Sequence, residues 1–313
     1  MGICRRHFGA CLLGGATAAL VAAPPRAKLL ILVVLEQLRA DALDTLRPQL
    51  APGGLRKIFD KGAVFSNCLH LASTFSSTAL TTLATGAWPA QHGIVADLWY
   101  NRVAKRAMSL SDEDLLATTL AAQFAADRGR VTVLSLDRNH GALFSAAPDA
   151  RLFWLDDQGQ FATNGEMPDW LPGFNSQNGA ENARGLKWSA IGAKPDAPPL
   201  RTLNFSSDHP RDFLSLYKGS PYAQSAQFEL ATELITRDRM GAPAGPPDLL
   251  CILAGSSGLL GYETGGRSLL LQQLLLQFDR RLEAFFGQLA KAPGDGNYNL
   301  AIAGAHGAPP EPS

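Results

Sequence analysis

A continuous apolar run near the start of the chain, Leu29–Leu35 (LLILVVL), restricts the possible folds more than any other segment. A strand without polar alternation is typically buried on both faces, as in a parallel sheet with helices on each side. The sequence predicts further strands at Arg130–Leu136, Leu249–Ala254 and Leu300–Gly304. Helical patterns alternate with these strands, so we expect an α/β fold with a doubly wound, mostly parallel sheet flanked by helices.

Several other segments carry local signals for a helix, a strand or a loop. Helices are predicted at Gly54–Lys61, Ser76–Ala84, Tyr222–Arg237 and Ser268–Ala290, and after a capping box of Ser111 and Asp114 as far as Asp127. A strand is predicted at Ala63–Leu71, a hairpin between Leu152 and Phe161, and a flexible loop at Gly255–Gly261.

The composition changes in the middle of the chain, where residues 164–221 are rich in Pro, Gly, Asn and Trp. We interpret residues 145–221 as a cap inserted into an α/β core that is formed by residues 28–144 and 222–313. Four aromatic side chains of the cap could form a ligand surface, or they could pack the cap onto the core. They are Trp154, Trp170, Phe174 and Trp188.

Residues 1–27 have the pattern of an export signal. Arg5 and Arg6 precede an apolar run at Ala10–Ala23, which is typical of a secretory signal peptide and suggests the twin-arginine type. A buried amino-terminal helix is the alternative. After removal of a signal, no stretch is long and apolar enough to span a membrane stably, so we expect a periplasmic or secreted protein.

The charge balance and the cysteines narrow the possible functions. The chain has 313 residues and a formal net charge of zero, and only 18% of its residues are charged. This balance does not indicate a nucleic-acid-binding surface. Beyond the signal only Cys68 and Cys251 remain, and because both lie in apolar strand-like runs they are predicted to be buried free thiols.

Three polar residues fall near the strand ends where doubly wound folds bind ligands. Glu36 follows the first strand and is a candidate metal ligand, whereas Ser76 begins a helix whose free N–H groups suit a phosphate. His306 follows the last strand. Each residue also has an ordinary structural interpretation. Glu36 could form an ion pair with Arg39, Ser76 could cap its helix, and His306 could be a structural histidine.

Ordered motifs make the chain resemble the alkaline phosphatase superfamily. They are VVLEQLRAD at Val33–Asp41, GAVFSN at Gly62–Asn67, TG at Thr85–Gly86 with PAQHGI at Pro89–Ile94, and AHG at Ala305–Gly307. The similarity is greatest to the bacterial phosphate-irrepressible alkaline phosphatases and the neighbouring type I phosphodiesterase/nucleotide pyrophosphatases. It implies hydrolysis of phosphate esters by a Ser or Thr nucleophile held between two zinc ions.

The resemblance gives each aligned position a role. Ser76 stands at the nucleophile, and Glu36 and His306 stand at two metal-ligand positions that the family fills with Asp and His. Gly258, Tyr262 and Ala305 stand where the family has ligands, and a last His would fall beyond residue 313. Asp97, Asp137 and Asn139 stand at phosphate-clamp positions that the family fills with Asn, Lys and Arg.

These replacements weaken the implied chemistry, because zinc needs about four ligands and phosphoryl transfer depends on positive charge. We therefore expect no cofactor, with zinc as the metal if any is bound. The chain stops soon after Gly307, which predicts an incomplete carboxyl-terminal part and an open sheet edge that favours self-association or a covering partner. Three hypotheses follow: an inactive pseudoenzyme, a weak single-metal phosphomonoesterase or phosphodiesterase that uses Ser76, or a non-catalytic binding protein that uses the cap.

Overall fold

Strands and helices alternate along the chain in the computed structural model, which describes residues 27–70, 75–111 and 114–308. The strands are β1 (Leu29–Leu35), β2 (Leu98–Asn101), β3 (Arg106–Ser109), β4 (Arg130–Ser135), β5 (Arg151–Leu155), β6 (Phe161–Thr163), β7 (Lys187–Trp188), β8 (Arg201–Thr202), β9 (Asp248–Ala254) and β10 (Tyr298–Gly304). The α-helices are α1 (Ala40–Leu46), α2 (Leu55–Lys61), α3 (Ser76–Thr85), α4 (Pro89–His92), α5 (Leu120–Ala126), α6 (Arg138–Phe144), α7 (Leu171–Asn178), α8 (Pro210–Lys218), α9 (Pro221–Arg237), α10 (Ser256–Thr264) and α11 (Leu269–Leu289).

Six strands form the central sheet, in the order β10-β1-β9-β4-β5-β6. All neighbouring pairs are parallel except β5 and β6, which form an antiparallel hairpin. Every residue of β9 is buried, as expected for an inner strand with both faces covered. The predicted α/β fold with a mostly parallel sheet flanked by helices is confirmed.

The apolar run of β1 serves two separate halves of the core, because alternate side chains of a strand point to opposite faces. Leu29, Ile31, Val33 and Leu35 belong to the cluster that includes the apolar side chains of α9 and α11. Val34 belongs to the cluster on the other face, with side chains of α3, α5 and α6. This two-sided burial explains why the run contains no polar residue.

The edges of the described sheet are β10 and β6. β10 pairs with β1 along its whole length, and its other side has no strand partner among the residues that the structure describes. Self-association or a covering partner at this edge stays a prediction. Within the same described segments, no helix combines the length and apolarity needed to cross a bilayer. The predicted signal peptide lies outside the described residues, apart from Ala27.

The strand predicted at Ala63–Leu71 is wrong. Residues 63–70 contain no strand, and the side chain of Phe65 is 85% exposed. The apolar residues of this run favour an extended chain, but a strand also needs a neighbour to pair its backbone groups, and the central sheet offers none here. Cys68 is exposed in this segment, so the buried thiol predicted there is also wrong, whereas Cys251 is buried in β9 as predicted.

The helix predicted from Ser111 begins nine residues later. Its amino-terminal cap is Thr119, whose side chain accepts a hydrogen bond from the Ala122 N–H at 3.0 Å. The Ser111 N–H does donate to Asp114 Oδ2 at 3.2 Å, so the predicted local contact forms, but α5 begins only at Leu120. A capping contact alone does not fix a helix, because packing supplies most helical stability.

The segment interpreted as a cap contributes partly to the central sheet, since β5 and β6 lie within it. The rest contains α7, α8 and the small β7-β8 pair, and its boundaries stay a prediction. Trp188 and Phe174 are buried, and Trp170 packs edge to face on Phe174 with the ring centroids 6.3 Å apart. Trp154 lies under the Arg138 guanidinium, 5.4 Å from the ring centroid. These contacts favour packing over a shared exposed aromatic surface.

Candidate active site

Three of the predicted site residues converge at the carboxyl edge of the sheet. The pairing of Leu35 with Gly304 places the residues that follow β1 and β10 side by side, and Ser76 begins α3 opposite them. Ser76 Oγ donates a hydrogen bond to Glu36 Oε2 at 2.6 Å and lies 3.3 Å from His306 Nε2. Glu36 Oε2 and His306 Nε2 are 4.0 Å apart.

The three side chains lie below the surface and are held by further contacts. Glu36, Ser76 and His306 are only 7%, 5% and 4% exposed. His306 Nδ1 lies 2.9 Å from the Gly307 carbonyl oxygen. Because a carbonyl oxygen can only accept, Nδ1 must carry a hydrogen, and in the neutral ring the lone pair of Nε2 then faces Ser76. The site therefore presents one hydroxyl to two acceptors.

A fourth residue of the site, His140, was missed by the sequence reasoning. Its Nδ1 lies 3.8 Å from Glu36 Oε1, and its Nε2 lies 3.5 Å from Asp97 Oδ1. The only available signal was its place one residue after Asn139, a phosphate-clamp position of the resembled family. Lone histidines are usually structural, so this signal could not single it out.

The other clamp positions lie around His140. Asp97 Oδ1 accepts hydrogen bonds from the Ser77 hydroxyl and from the Ser77 N–H, the latter at 3.2 Å. Asp137 caps α6 by accepting from the N–H groups of Asn139 and His140 at 2.9 and 3.0 Å, and the side chain of Asn139 is exposed. The predicted clamp positions therefore lie close to His140, which the sequence did not single out.

The ion pair between His140 and Asp97 sets the charges of both groups. The hydrogen bond from His140, with those from Ser77, outweighs burial and lowers the pKa of Asp97 to about 2. Burial acts to lower the pKa of His140, but the hydrogen bond to Asp97 and the negative charges of Glu36 and Asp137 raise it to about 9. Near neutral pH the site therefore contains an imidazolium cation between carboxylates.

These shifts predict how stability depends on pH. Since folding raises the pKa of His140, the stability that this group gives the folded protein is fully present below about pH 6.5. This contribution is lost as the pH rises towards about 9. Since folding lowers the pKa of Asp97, the stability that this group gives the folded protein is fully present above about pH 4. This contribution is lost as the pH falls towards about 2. Melting temperatures of the wild-type protein and His140→Gln should therefore converge between pH 6.5 and 9. A constant difference across that range would contradict this assignment.

Residues 256–261 are helical and not part of the predicted flexible loop, because the glycines of this segment allow α10 to pack closely on the end of β1. A Cβ atom on Gly258 would lie 2.8 Å from Glu36 Oε2, and one on Gly261 would lie 2.1 Å from Gln37 Oε1. The Ser257 hydroxyl also donates to the Glu36 carbonyl oxygen at 2.6 Å. Tertiary packing therefore overrides the poor helix propensity of glycine.

The resemblance implies metal ligands at three positions, and the residues that stand there do not form a substitute set of ligands. These residues are Gly258, Tyr262 and Ala305. The volume beside Gly258 is filled by the Glu36 side chain, and Ala305 is fully buried and donates its N–H to the Leu35 carbonyl oxygen at 2.8 Å. Tyr262 is 63% exposed. Burial raises the pKa of Tyr262, and an interaction with the Ser76 hydroxyl opposes this. In the described part of the chain, no three His, Cys, Asp or Glu side chains are placed to hold a metal ion. A pair of zinc ions therefore does not fit these residues.

Comparison with known proteins identifies the family. The family described as type I phosphodiesterase / nucleotide pyrophosphatase matches residues 30–313, and the chain belongs to it. Alkaline phosphatase PafA of Elizabethkingia meningoseptica is 24% identical over 91% of this chain and 61% of its own length. Alkaline phosphatase PhoV of Synechococcus elongatus is 26% identical over 90% of this chain and 59% of its own length.

A solved structure has the same fold. The crystal structure of wild-type PafA matches 91% of this chain and 64% of that chain, with a TM-score of 0.77 and 23% sequence identity. The match confirms the fold, whereas the family match over residues 30–313 confirms the predicted resemblance. The chain spans 61% and 59% of the length of the two curated relatives.

Proposed function

We propose that this chain is a family member that does not carry out two-zinc phosphoryl transfer. The single observation that carries the proposal is the position of Glu36, whose carboxylate fills the space beside Gly258 and accepts the hydrogen bond of Ser76. A two-metal site works by holding both the attacking and the leaving oxygen. Here a carboxylate occupies the space beside the serine in which a ligand at position 258 would have to fit.

The charges of the site support the same conclusion. Glu36 and Asp97 place two carboxylates beside Ser76 and Ser77, and His140 contributes one cation between them. Phosphoryl transfer depends on concentrated positive charge around the transferred group. A phosphate dianion approaching Ser76 would meet little net attraction here.

Metal analysis together with a phosphatase assay tests this proposal. We expect substoichiometric zinc in the purified chain after dialysis against zinc-containing buffer. Hydrolysis of p-nitrophenyl phosphate with added zinc should equal that of Ser76→Ala, because no pair of metal ions polarises the ester. Two zinc ions per chain, with turnover that Ser76→Ala abolishes, would overturn the proposal.

A weak single-metal phosphoesterase is the second candidate, favoured by one observation. Ser76 Oγ, Glu36 Oε2 and His306 Nε2 lie 2.6, 3.3 and 4.0 Å apart. Donor atoms around one tetrahedral zinc ion are about 3.3 Å apart, given metal–ligand distances of about 2 Å. One zinc ion per chain, with slow phosphatase activity that His306→Ala abolishes, would support this candidate over the first.

A further inference from the structure

We propose that Ser76 is a metal-independent nucleophile that attacks uncharged carboxylic esters, with His306 as its general base. This would be an activity different from phosphoryl transfer, and it presupposes the proposed absence of a zinc pair at the site. It uses only side chains that already lie in contact.

The geometry of the serine and the histidine meets the requirement for an activated nucleophile. Ser76 Oγ and His306 Nε2 are 3.3 Å apart, close to the hydrogen-bonding range in which a base removes a hydroxyl proton. The Gly307 carbonyl oxygen, 2.9 Å from Nδ1, fixes the tautomer whose Nε2 lone pair faces the serine. His306 is 4% exposed, so its ring is held in place by its surroundings.

Glu36 acts in this arrangement as a positioning residue. Its Oε2 accepts the hydrogen bond of Ser76 at 2.6 Å and so holds the hydroxyl next to the imidazole. When the serine attacks, its hydroxyl turns from Glu36 Oε2 to His306 Nε2, whose lone pair accepts the proton. Glu36 Oε2 lies 4.0 Å from His306 Nε2, where its negative charge stabilises the imidazolium that forms.

The surroundings of Ser76 favour an uncharged and apolar substrate. The carboxylates of Glu36 and Asp97 repel an anion, as argued above for phosphate. Phe75, which precedes Ser76 on the chain, and Leu259, on the turn of α10 beside Gly258, are both exposed large apolar residues. Exposed apolar side chains near a polar site bind the apolar part of a ligand. We therefore assign esters of apolar acyl groups as the substrate class.

The reaction balances without any co-reactant except water. Ser76 Oγ forms a bond to the carbonyl carbon while its proton moves to His306 Nε2. The carbon–oxygen bond to the alcohol then breaks, and the leaving oxygen takes the proton from Nε2. A water molecule, deprotonated by the same nitrogen, attacks the acyl-serine and releases the carboxylic acid, which restores Ser76.

Activity-based labelling of the full chain in excess EDTA tests the proposal. A fluorophosphonate probe should modify the wild-type protein, and peptide mapping should place the adduct on Ser76. Ser76→Ala should abolish labelling and the hydrolysis of p-nitrophenyl butyrate, and His306→Gln should slow both by about 100-fold. The matched control His209→Gln changes an exposed histidine without a capping hydrogen bond, and it should react like the wild type.

Several results would overturn the assignment. One is the absence of labelling in the folded wild-type protein. The others are an adduct on Ser77 and wild-type rates for folded His306→Gln. Circular dichroism establishes folding, and if a variant does not fold, the map of the wild-type adduct decides. Zinc-dependent phosphatase turnover would contradict the proposed function, whereas a chain inactive towards both probe and phosphate ester would contradict only the esterase assignment.

Discussion

Replacing Gly258 with aspartate is expected to destabilise the folded protein by about 3 kcal/mol or more. A Cβ at this position would lie 2.8 Å from both Cβ and Oε2 of Glu36, so the new side chain cannot fit without displacing that residue. It would also bring a second carboxylate against a buried one. The substitution introduces the residue type that the resemblance implies at this position, yet the neighbouring side chain excludes it.

A double-mutant cycle measures the steric conflict between the side chains at positions 36 and 258. Glu36→Asp removes one methylene and withdraws the carboxylate, so the pair Glu36→Asp with Gly258→Asp should recover at least about 1 kcal/mol of the loss. Urea unfolding of the four proteins measures the coupling. Gly287→Asp is the matched control, because Gly287 is an exposed helical glycine with no atom within 4 Å of an added Cβ. Additive effects of the two substitutions would show that Glu36 and Gly258 are not coupled.

Replacing Asp279 with alanine is expected to cost about 3 kcal/mol of folding free energy, since each unpaired buried N–H group costs about 1–3 kcal/mol. The carboxylate is fully buried on α11 and accepts from the N–H groups of Ala51 and Leu55 at 2.5 and 2.7 Å. It thereby holds the turn that precedes α2. Burial raises the pKa of Asp279, and the two hydrogen bonds act against that shift.

Two further variants distinguish hydrogen bonding from charge at this position. Asp279→Asn keeps the shape and one acceptor oxygen, so its free energy of unfolding should lie between those of the wild type and Asp279→Ala. Asp60→Ala removes an exposed carboxylate from α2 and should change the urea midpoint little. An unchanged midpoint for Asp279→Ala would refute the role assigned to these two hydrogen bonds.

The sheet could be predicted because its signals are local. The apolar runs of β1 and β9 need no knowledge of their partners, since burial on both faces favours apolar side chains at nearly every position. The predictions that failed lacked this property. Residues 63–70 have apolar side chains typical of a strand but pair with no strand, and residues 256–261 have the composition of a loop but pack as a helix.

The candidate site was predicted in part for a similar reason. Glu36 and His306 follow adjacent parallel strands, so topology alone brings them together, and the motif spacing identified Ser76. His140 gave no signal of its own. Its charge depends on Asp97 and Glu36, which lie 43 and 104 positions earlier in the sequence and approach it only when the chain folds.

The sequence by itself determined the family, the order of the core strands along the chain, and the residue types at positions 258, 262 and 305, because each is a property of single positions or short runs. Only the tertiary structure decided what surrounds those positions. The volume left by Gly258 is taken by Glu36, and the hydroxyl of Ser76 is shared between a carboxylate and an imidazole. Such contacts depend on distances of a few ångströms between residues far apart in the chain, and these are set by packing.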